Sequence, residues 1–218
     1  MKVFVPIKQN SQRVPGKNFR EFEGKPLYKH TLYKLSEFDV YVDTDSEEIL
    51  REVLEDNNLS HVTAYARSPK LLGDEISVCE LIKYFCEKYC NDGDAVCQVH
   101  VTSPFLSVKT LKDAEAILKD IENFDSIVSC NILQTRLWRK EDYGMCPVNH
   151  NPSKLEQTQD LPCYYEENSL FYMFYSADIL RTGNRIGKAP FFYMTEPSES
   201  LDIDTEDDWR LANVMVSK

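Results

Sequence analysis

Short apolar runs alternate with longer amphipathic stretches through the first 133 residues, and this alternation narrows the fold more than any other feature of the chain. Residues 3–7 read as a buried strand, 27–35 as an amphipathic helix, 38–42 as a second strand and 46–57 as an acidic helix. A strand at 62–66, a helix at 76–89, a strand at 95–101, a helix at 111–121 and a strand at 126–130 continue the series. In the 76–89 helix the buried face falls on Ile76, Cys79, Leu81, Ile82 and Phe85. Strands alternating with helices imply βαβ units, hence an α/β, Rossmann-like, mostly parallel sheet. Ligands of such sheets bind beyond the carboxyl ends of the strands. The loops after Ile7, Val42, Ala66 and Val101 are therefore expected to share one rim.

The alternation breaks after Leu133. Residues 134–165 are polar and aromatic, with Trp138, Tyr143, Pro147, Pro152, Pro162, Tyr164 and Tyr165, and read as an inserted arm rather than another βα unit. Strand pattern returns at 170–174 and 191–194, and a last helix is predicted over 206–216. A length of 218 residues suits one domain, 1–218, carrying that arm.

A formal net charge of −11 argues against broad nucleic-acid binding, which needs a basic footprint, but leaves room for a local basic pocket. The seven cysteines are odd in number, form no C-x-x-C pair and fall mostly in apolar stretches, which suggests reduced thiols and a cytoplasmic setting. Four closely spaced Cys or His ligands for zinc are missing. The opening apolar run is too short for a signal peptide, and no run is long enough to cross a bilayer, so no membrane partner is expected.

Three cations, Lys8, Arg13 and Lys17, fall within ten residues of the loop after the first strand. Asn10, Ser11 and Asn18 add neutral donors, and Pro15-Gly16 can turn the backbone so that N–H groups point inward as a nest. A triphosphate needs this mixture of spread positive charge and fixed dipoles; a solvated basic turn is the bland reading of the same residues. Neither G-x-x-x-x-G-K-[ST] nor G-x-G-x-x-G occurs in the loop. Near the other end, Asp202 and Asp204 stand two apart, so an extended backbone points both carboxylates one way. Such a pair can hold Mg²⁺ or Mn²⁺, with water and phosphate completing the shell. Equally, Asp204 with Glu206 and Asp207 can serve as an acidic helix N-terminus.

The segment Lys8 to Asn18, followed by Gly24-Lys25-Pro26-Leu27, resembles the opening of the acylneuraminate (CMP-sialic acid) cytidylyltransferase family. The resemblance continues in order through Val42-Asp43-Thr44-Asp45, Arg67 to Asp74, Thr102-Ser103-Pro104, Asn168-Ser169-Leu170-Phe171-Tyr172 and Ser200-Leu201-Asp202-Ile203-Asp204-Thr205. Each motif is weak alone; six in order over some 200 residues are specific. The resemblance implies a CTP-dependent nucleotidyltransferase that joins CMP to an acidic sugar, with CTP as co-substrate and a divalent metal on Asp202 and Asp204. It implies catalytic roles for Lys17, Asp202 and Asp204, and nucleotide contacts from Lys8, Asn10, Ser11, Arg13, Asn18, Arg67 and Asp74. It also implies sugar contacts from His100, Thr102, Ser103, Asn168 and Tyr172, and a homodimer in which arm 134–165 reaches the neighbouring site through anchors such as Trp138 and Tyr164.

Departures from the family pattern are specific. Lys8 stands where the family has arginine, Gln12 where lysine is common, His100 where glutamine is common, and Ser169 where glycine is found. Family members that use sialic acid carry an arginine in the segment matching 155–162, and this chain has none there; Arg136 or Arg139 of the arm are the alternatives for the acceptor's carboxylate. Two other classes stay open. A metal-dependent nucleotide-sugar glycosyltransferase also uses Asp-x-Asp, but in mid-chain, and a non-catalytic nucleotide- or sugar-binding relative would tolerate the departures.

Overall fold

In the computed structural model, which describes residues 1–11, 13–120 and 123–217, seven strands join in one sheet. They are β1 (Lys2–Ile7), β2 (Asp39–Thr44), β3 (Val62–Ala66), β4 (Ala95–Val99), β5 (Ser126–Leu133), β6 (Tyr164–Tyr175) and β7 (Pro190–Met194). Six α-helices accompany them among the described residues: α1 (Leu27–Lys34), α2 (Glu47–Glu55), α3 (Val78–Tyr89), α4 (Val108–Asp120), α5 (Ser176–Thr182) and α6 (Glu206–Val216). The strand order is β7-β5-β6-β4-β1-β2-β3. Every neighbouring pair is parallel except those made by β6, which runs antiparallel to both β4 and β5. Gln12, and Ile121 at the predicted end of the fourth helix, lie outside the described residues.

The period-two pattern of the strands sorts the core onto two faces. On β1, Val3, Val5 and Ile7 point to one side with Tyr28 and Leu32 of α1 and Leu111 and Leu118 of α4. Phe4 points to the other side, among Phe85 of α3, Ile179 of α5 and Phe174 of β6, and its ring stacks on Phe85 at 4.9 Å. Each fully buried Leu or Phe here contributes on the order of 2 kcal/mol. Helix starts follow the local chemistry: Ser46 caps α2, and Ser77 with Glu80 forms a capping box on α3.

Two features differ from the sequence expectation. Helix α5 is seven residues long, too short for a clear period, and was not anticipated. Strand β6 begins at Tyr164, so the end of the arm already belongs to the sheet. Between Glu167 and Tyr172 the strand bulges: five steps along β6 oppose two steps, Cys130 to Val128, on β5. Ser169 sits in this bulge with φ of 59°, left-handed backbone that favours glycine. The rest of the arm is a small hairpin, Trp138–Glu141 against Gly144–Pro147, and a loop.

Candidate active site

The carboxyl ends of β1 and β4 open into a cleft of about 430 Å³. Its floor is the N-terminal loop. Gly16 adopts φ of 64° and starts a single 3₁₀ turn, Lys17–Phe19, and Val14 is fully buried as the hook that holds the loop down. Asn18 lines the cleft but spends its amide on the Lys8 carbonyl at 2.7 Å, joining the two ends of the loop. Its Oδ1 is buried and lacks a partner among the described residues. Asn10 and Ser11 line the same wall.

The three loop cations all reach this cleft, each with a carboxylate beside it. Lys8 pairs with Asp74 at 3.1 Å across the mouth. Arg13 Nη2 lies 2.8 Å and Lys17 Nζ 3.3 Å from the same oxygen, Asp204 Oδ1. Lys17 also donates to the Ile203 carbonyl, and its side chain is only 10% exposed. Lys17 is the cation held away from solvent, while Lys8 and Arg13 keep their ion pairs at the solvated mouth.

Asp202 and Asp204 belong to an extended segment held by the Ile203 N–H, which donates to the Thr102 carbonyl at 2.8 Å. Asp204 does not cap α6. Thr205 is the N-cap, and Asp208 closes the capping box. The Asp208 carboxylate accepts from the N–H groups of both Asp204, at 3.1 Å, and Thr205, at 2.7 Å. The Asp204 side chain is thereby left to the cleft. Asp202 lies deeper; burial raises its carboxyl pKa, opposed by a bond to Thr102 and by the charge of Lys17. Asp202 Oδ1 is a buried atom without a hydrogen-bond partner among the described residues.

Thr102 and His100 form the opposite wall. Ser103 is fully buried behind it with an unpartnered Oγ, and does not line the cleft. Lys34 at the end of α1 holds this loop from below, donating to the carbonyls of Pro104 and, at 3.1 Å, Leu106; burial depresses its pKa to about 8. His100 Nε2 faces Gln98 Nε2 at 2.6 Å, so it accepts the amide's proton and carries its own on Nδ1. Burial first, then the charges of Arg185 and Lys17, lower the His100 pKa to about 4.

Five of the remaining sequence candidates are placed differently. Arg67 is buried against Asp43, donating to its carboxylate through Nε and to its carbonyl through Nη2, and does not line the cleft. Asn168 is engaged inside the bulge, donating to Asn131 at 3.0 Å and Thr195 at 2.7 Å. Tyr172 is fully buried and does not line the cleft; its hydroxyl donates to Glu167 and lies 3.2 Å from Ser169 Oγ. Arg136 donates to the Glu156 carbonyl, and Arg139 pairs with Glu141, so both serve the arm itself. Sequence reasoning missed Gln98, which its position inside the apolar run 95–101 could have flagged as a buried polar group. It also missed Arg185, which no motif surrounds.

A family model described as Cytidylyltransferase matches residues 3–213. N-acylneuraminate cytidylyltransferase A of Danio rerio is 29% identical over 94% of this chain and 48% of that one, so the chain spans about half its length. CMP-N,N'-diacetyllegionaminic acid synthase of Legionella pneumophila is 29% identical over 97% of this chain and 94% of that one. A solved structure of CMP:2-keto-3-deoxy-manno-octonic acid synthetase complexed with CTP superposes with a TM-score of 0.67 at 13% identity, covering 99% of this chain and 97% of that one. At that identity the likeness bears on the fold alone.

Proposed function

The chain belongs to the cytidylyltransferase family, and from that premise we propose that it transfers CMP from CTP to the hydroxyl of an acidic, nonulosonate-like sugar, releasing pyrophosphate. The observation that carries this reading is the convergence of Lys8, Arg13 and Lys17 on one cleft, faced by Asp204. In the reaction the sugar oxygen bonds to the α-phosphorus, the bond to the β-phosphate bridge breaks, and the hydroxyl proton is lost. Negative charge builds on phosphate oxygens, so prefixed cations stabilise the transition state.

Lys17, the least exposed of the three, takes the α-phosphate; Lys8 and Arg13 take the outer phosphates. A triphosphate entering the cleft offers Arg13 and Lys17 oxygens in exchange for Asp204. Asn10 and Ser11 add neutral donors to phosphate and ribose. Neutral His100 meets the sugar as a hydrogen-bonding group rather than a cation, with Thr102 beside it. Arg67 acts on the nucleotide only through the loop that it braces against Asp43.

The residues fit a Mg²⁺ or Mn²⁺ ion. Asp202 Oδ1 is a buried acceptor without a donor among the described residues, Asp204 two residues on lines the cleft, and both are hard oxygen ligands. Among the described residues no third His, Cys, Asp or Glu joins them, which suits an ion that completes its shell with water and phosphate. Bound there, the ion would offset phosphate charge and acidify the sugar hydroxyl. We further read residues 1–218 as one unit whose arm, 134–165, pairs two copies, working in the reducing cytoplasm that seven unpaired cysteines suit.

Pyrophosphate release from CTP and Mg²⁺ over a panel of acidic sugars tests the assignment. Lys17→Ala and Asp202→Asn are each expected to lower turnover at least about 100-fold with unchanged circular dichroism. Near-normal rates in both variants would remove the proposed roles, and a preference for UTP over CTP would remove the cytidylyl assignment. Tight CTP binding with no turnover of any acceptor would favour a binding protein.

A further inference from the structure

An acidic acceptor needs a cation of its own, and the cleft cations are already committed. Lys8, Arg13 and Lys17 each stand beside a carboxylate and serve the phosphate end. Arg185 borders a second cavity, of about 260 Å³, rather than the cleft itself, and is linked to His100 of the cleft wall through Gln98. Its guanidinium carbon lies 3.5 Å from the centre of the Tyr172 ring, stacked on its face. Its Nη1 donates to Gln98 Oε1 at 2.6 Å, and the same Gln98 amide donates to His100. The guanidinium is therefore aimed by an aromatic face and a neutral amide, two contacts that fix a cation without cancelling its charge. Its one carboxylate neighbour among the described residues, Glu167, makes a long ion pair at 3.9 Å through Oε1, the oxygen that also accepts the Tyr172 hydroxyl, so the charge of Arg185 is only partly offset. With 18% of its side chain exposed, Arg185 is partly desolvated yet reachable.

The backbone that carries Arg185 is equally fixed. Gly183 closes α5 with φ of 75°. Asp125 accepts from the N–H groups of Lys188, at 2.7 Å, and Ala189, at 3.2 Å. Gly187 crosses so close to Asp125 that an added Cβ would lie 2.1 Å from its carboxylate. This anchoring limits the motion of the backbone from which Arg185 projects. The basicity of His100 is lowered chiefly by burial and next by the charge of Arg185.

We propose that Arg185, stacked on Tyr172 and aligned by Gln98, binds the carboxylate of the acceptor sugar and sets the enzyme's preference for an acid. The inference rests on the transfer reaction proposed above. It replaces the arm residues Arg136 and Arg139 in this role, since both are engaged within the arm.

Steady-state kinetics of the wild-type chain, Arg185→Gln and Arg185→Lys, with a nonulosonic acid and its methyl ester, test it. Wild type should prefer the acid over the ester by about 30-fold or more in kcat/KM, the scale of one charge-assisted contact. Arg185→Gln should raise the acid's KM by a similar factor, leave the KM for CTP unchanged and erase the preference for acid over ester; Arg185→Lys should restore part of it. An unchanged KM for the acid in Arg185→Gln, or a preference for the acid that survives the substitution, overturns the role of Arg185 while leaving cytidylyl transfer intact. Should Arg185→Gln fail to fold, the soluble lysine variant and the wild-type comparison of acid with ester still decide, because equal use of both substrates by wild type is fatal to the proposal. No turnover of any acid by wild type, with CTP bound, overturns this inference together with the transfer reaction.

Discussion

His100 carries the most legible electrostatic signature of any single residue. Its folded pKa is near 4 against 6.5 for the free side chain, with burial the leading cause. Between those values the unfolded chain holds the proton that the folded chain does not, so acid favours unfolding. The contribution of His100 to stability is whole above about pH 6.5 and is lost as pH falls toward 4. Because the side chain is partly buried rather than fully enclosed, we expect about 2 kcal/mol from this group. His100→Gln, which keeps a partner for Gln98, should flatten the acid limb of a urea-unfolding series between those pH values by that amount. Identical limbs in both proteins would contradict the buried neutral histidine. The sequence marked His100 by its place before Thr102, and Lys17 and Asp204 by motif. It also marked Ser169 as a departure from glycine, and the structure supplies the physical reason: a positive φ that glycine meets without strain. Arg185 was illegible because its meaning comes from Gln98 and Tyr172, which lie 87 and 13 positions away in the chain.

Among the elements, α6 shows how capping and the cleft divide their labour. The sequence offered two readings of the acidic cluster at its start, ligand pair or helix cap, and local spacing cannot separate them because both use the carboxylate of Asp204. Folding divides the residues between the roles: Asp208 closes the cap with Thr205, and Asp204 turns to Arg13 and Lys17. The helix then packs Trp209 and Ala212 under Ile203, with Phe22 and Leu27 completing the cluster. Arg20 stacks over Trp209 at 4.2 Å, binding the cation-bearing loop to the same helix. Asp208→Ala should therefore cost about 1 kcal/mol in denaturant melts while reducing turnover only several-fold. Asp204→Asn should show the reverse, a small change in stability and a large loss of turnover. Equal effects of the two substitutions on both quantities would mean that cap and site are not separable. The elements that alternation predicted, from β1 to β5 and α6, were readable because each buries one face of a regular period. Helix α5 and the bulge of β6 were not, since seven residues and a register shift leave no period to count.

The whole molecule presents an apolar surface where the sheet ends and the arm begins. Ile132 on β5 pairs across the ladder with Tyr165 on β6, the Tyr165 ring lies 6.0 Å from that of Phe192 on edge strand β7, and Met194 follows on the same side of β7. All four are exposed, between 42% and 57%. Trp138, Met145 and Val148 of the arm add further exposed apolar side chains. A contiguous patch of this kind, rich in aromatics and bordering an edge strand, has the composition of an interface core. Association must also work against electrostatics, because each copy carries a net charge of −11. Both terms give the same expectation: a homodimer held by apolar contact that tightens as added salt screens the repulsion between copies. Sedimentation equilibrium should find twice the mass of one chain at micromolar concentration, with a dissociation constant that falls between about 20 and 200 mM salt. Tyr165→Glu should weaken the dimer at least about 30-fold, the effect of losing an aromatic anchor and burying a charge in its place. If the arm completes the neighbouring cleft, that variant should lose turnover in parallel with dimer and regain it at high protein concentration. A wild type that stays monomeric at tens of micromolar in either salt would leave the patch without this role.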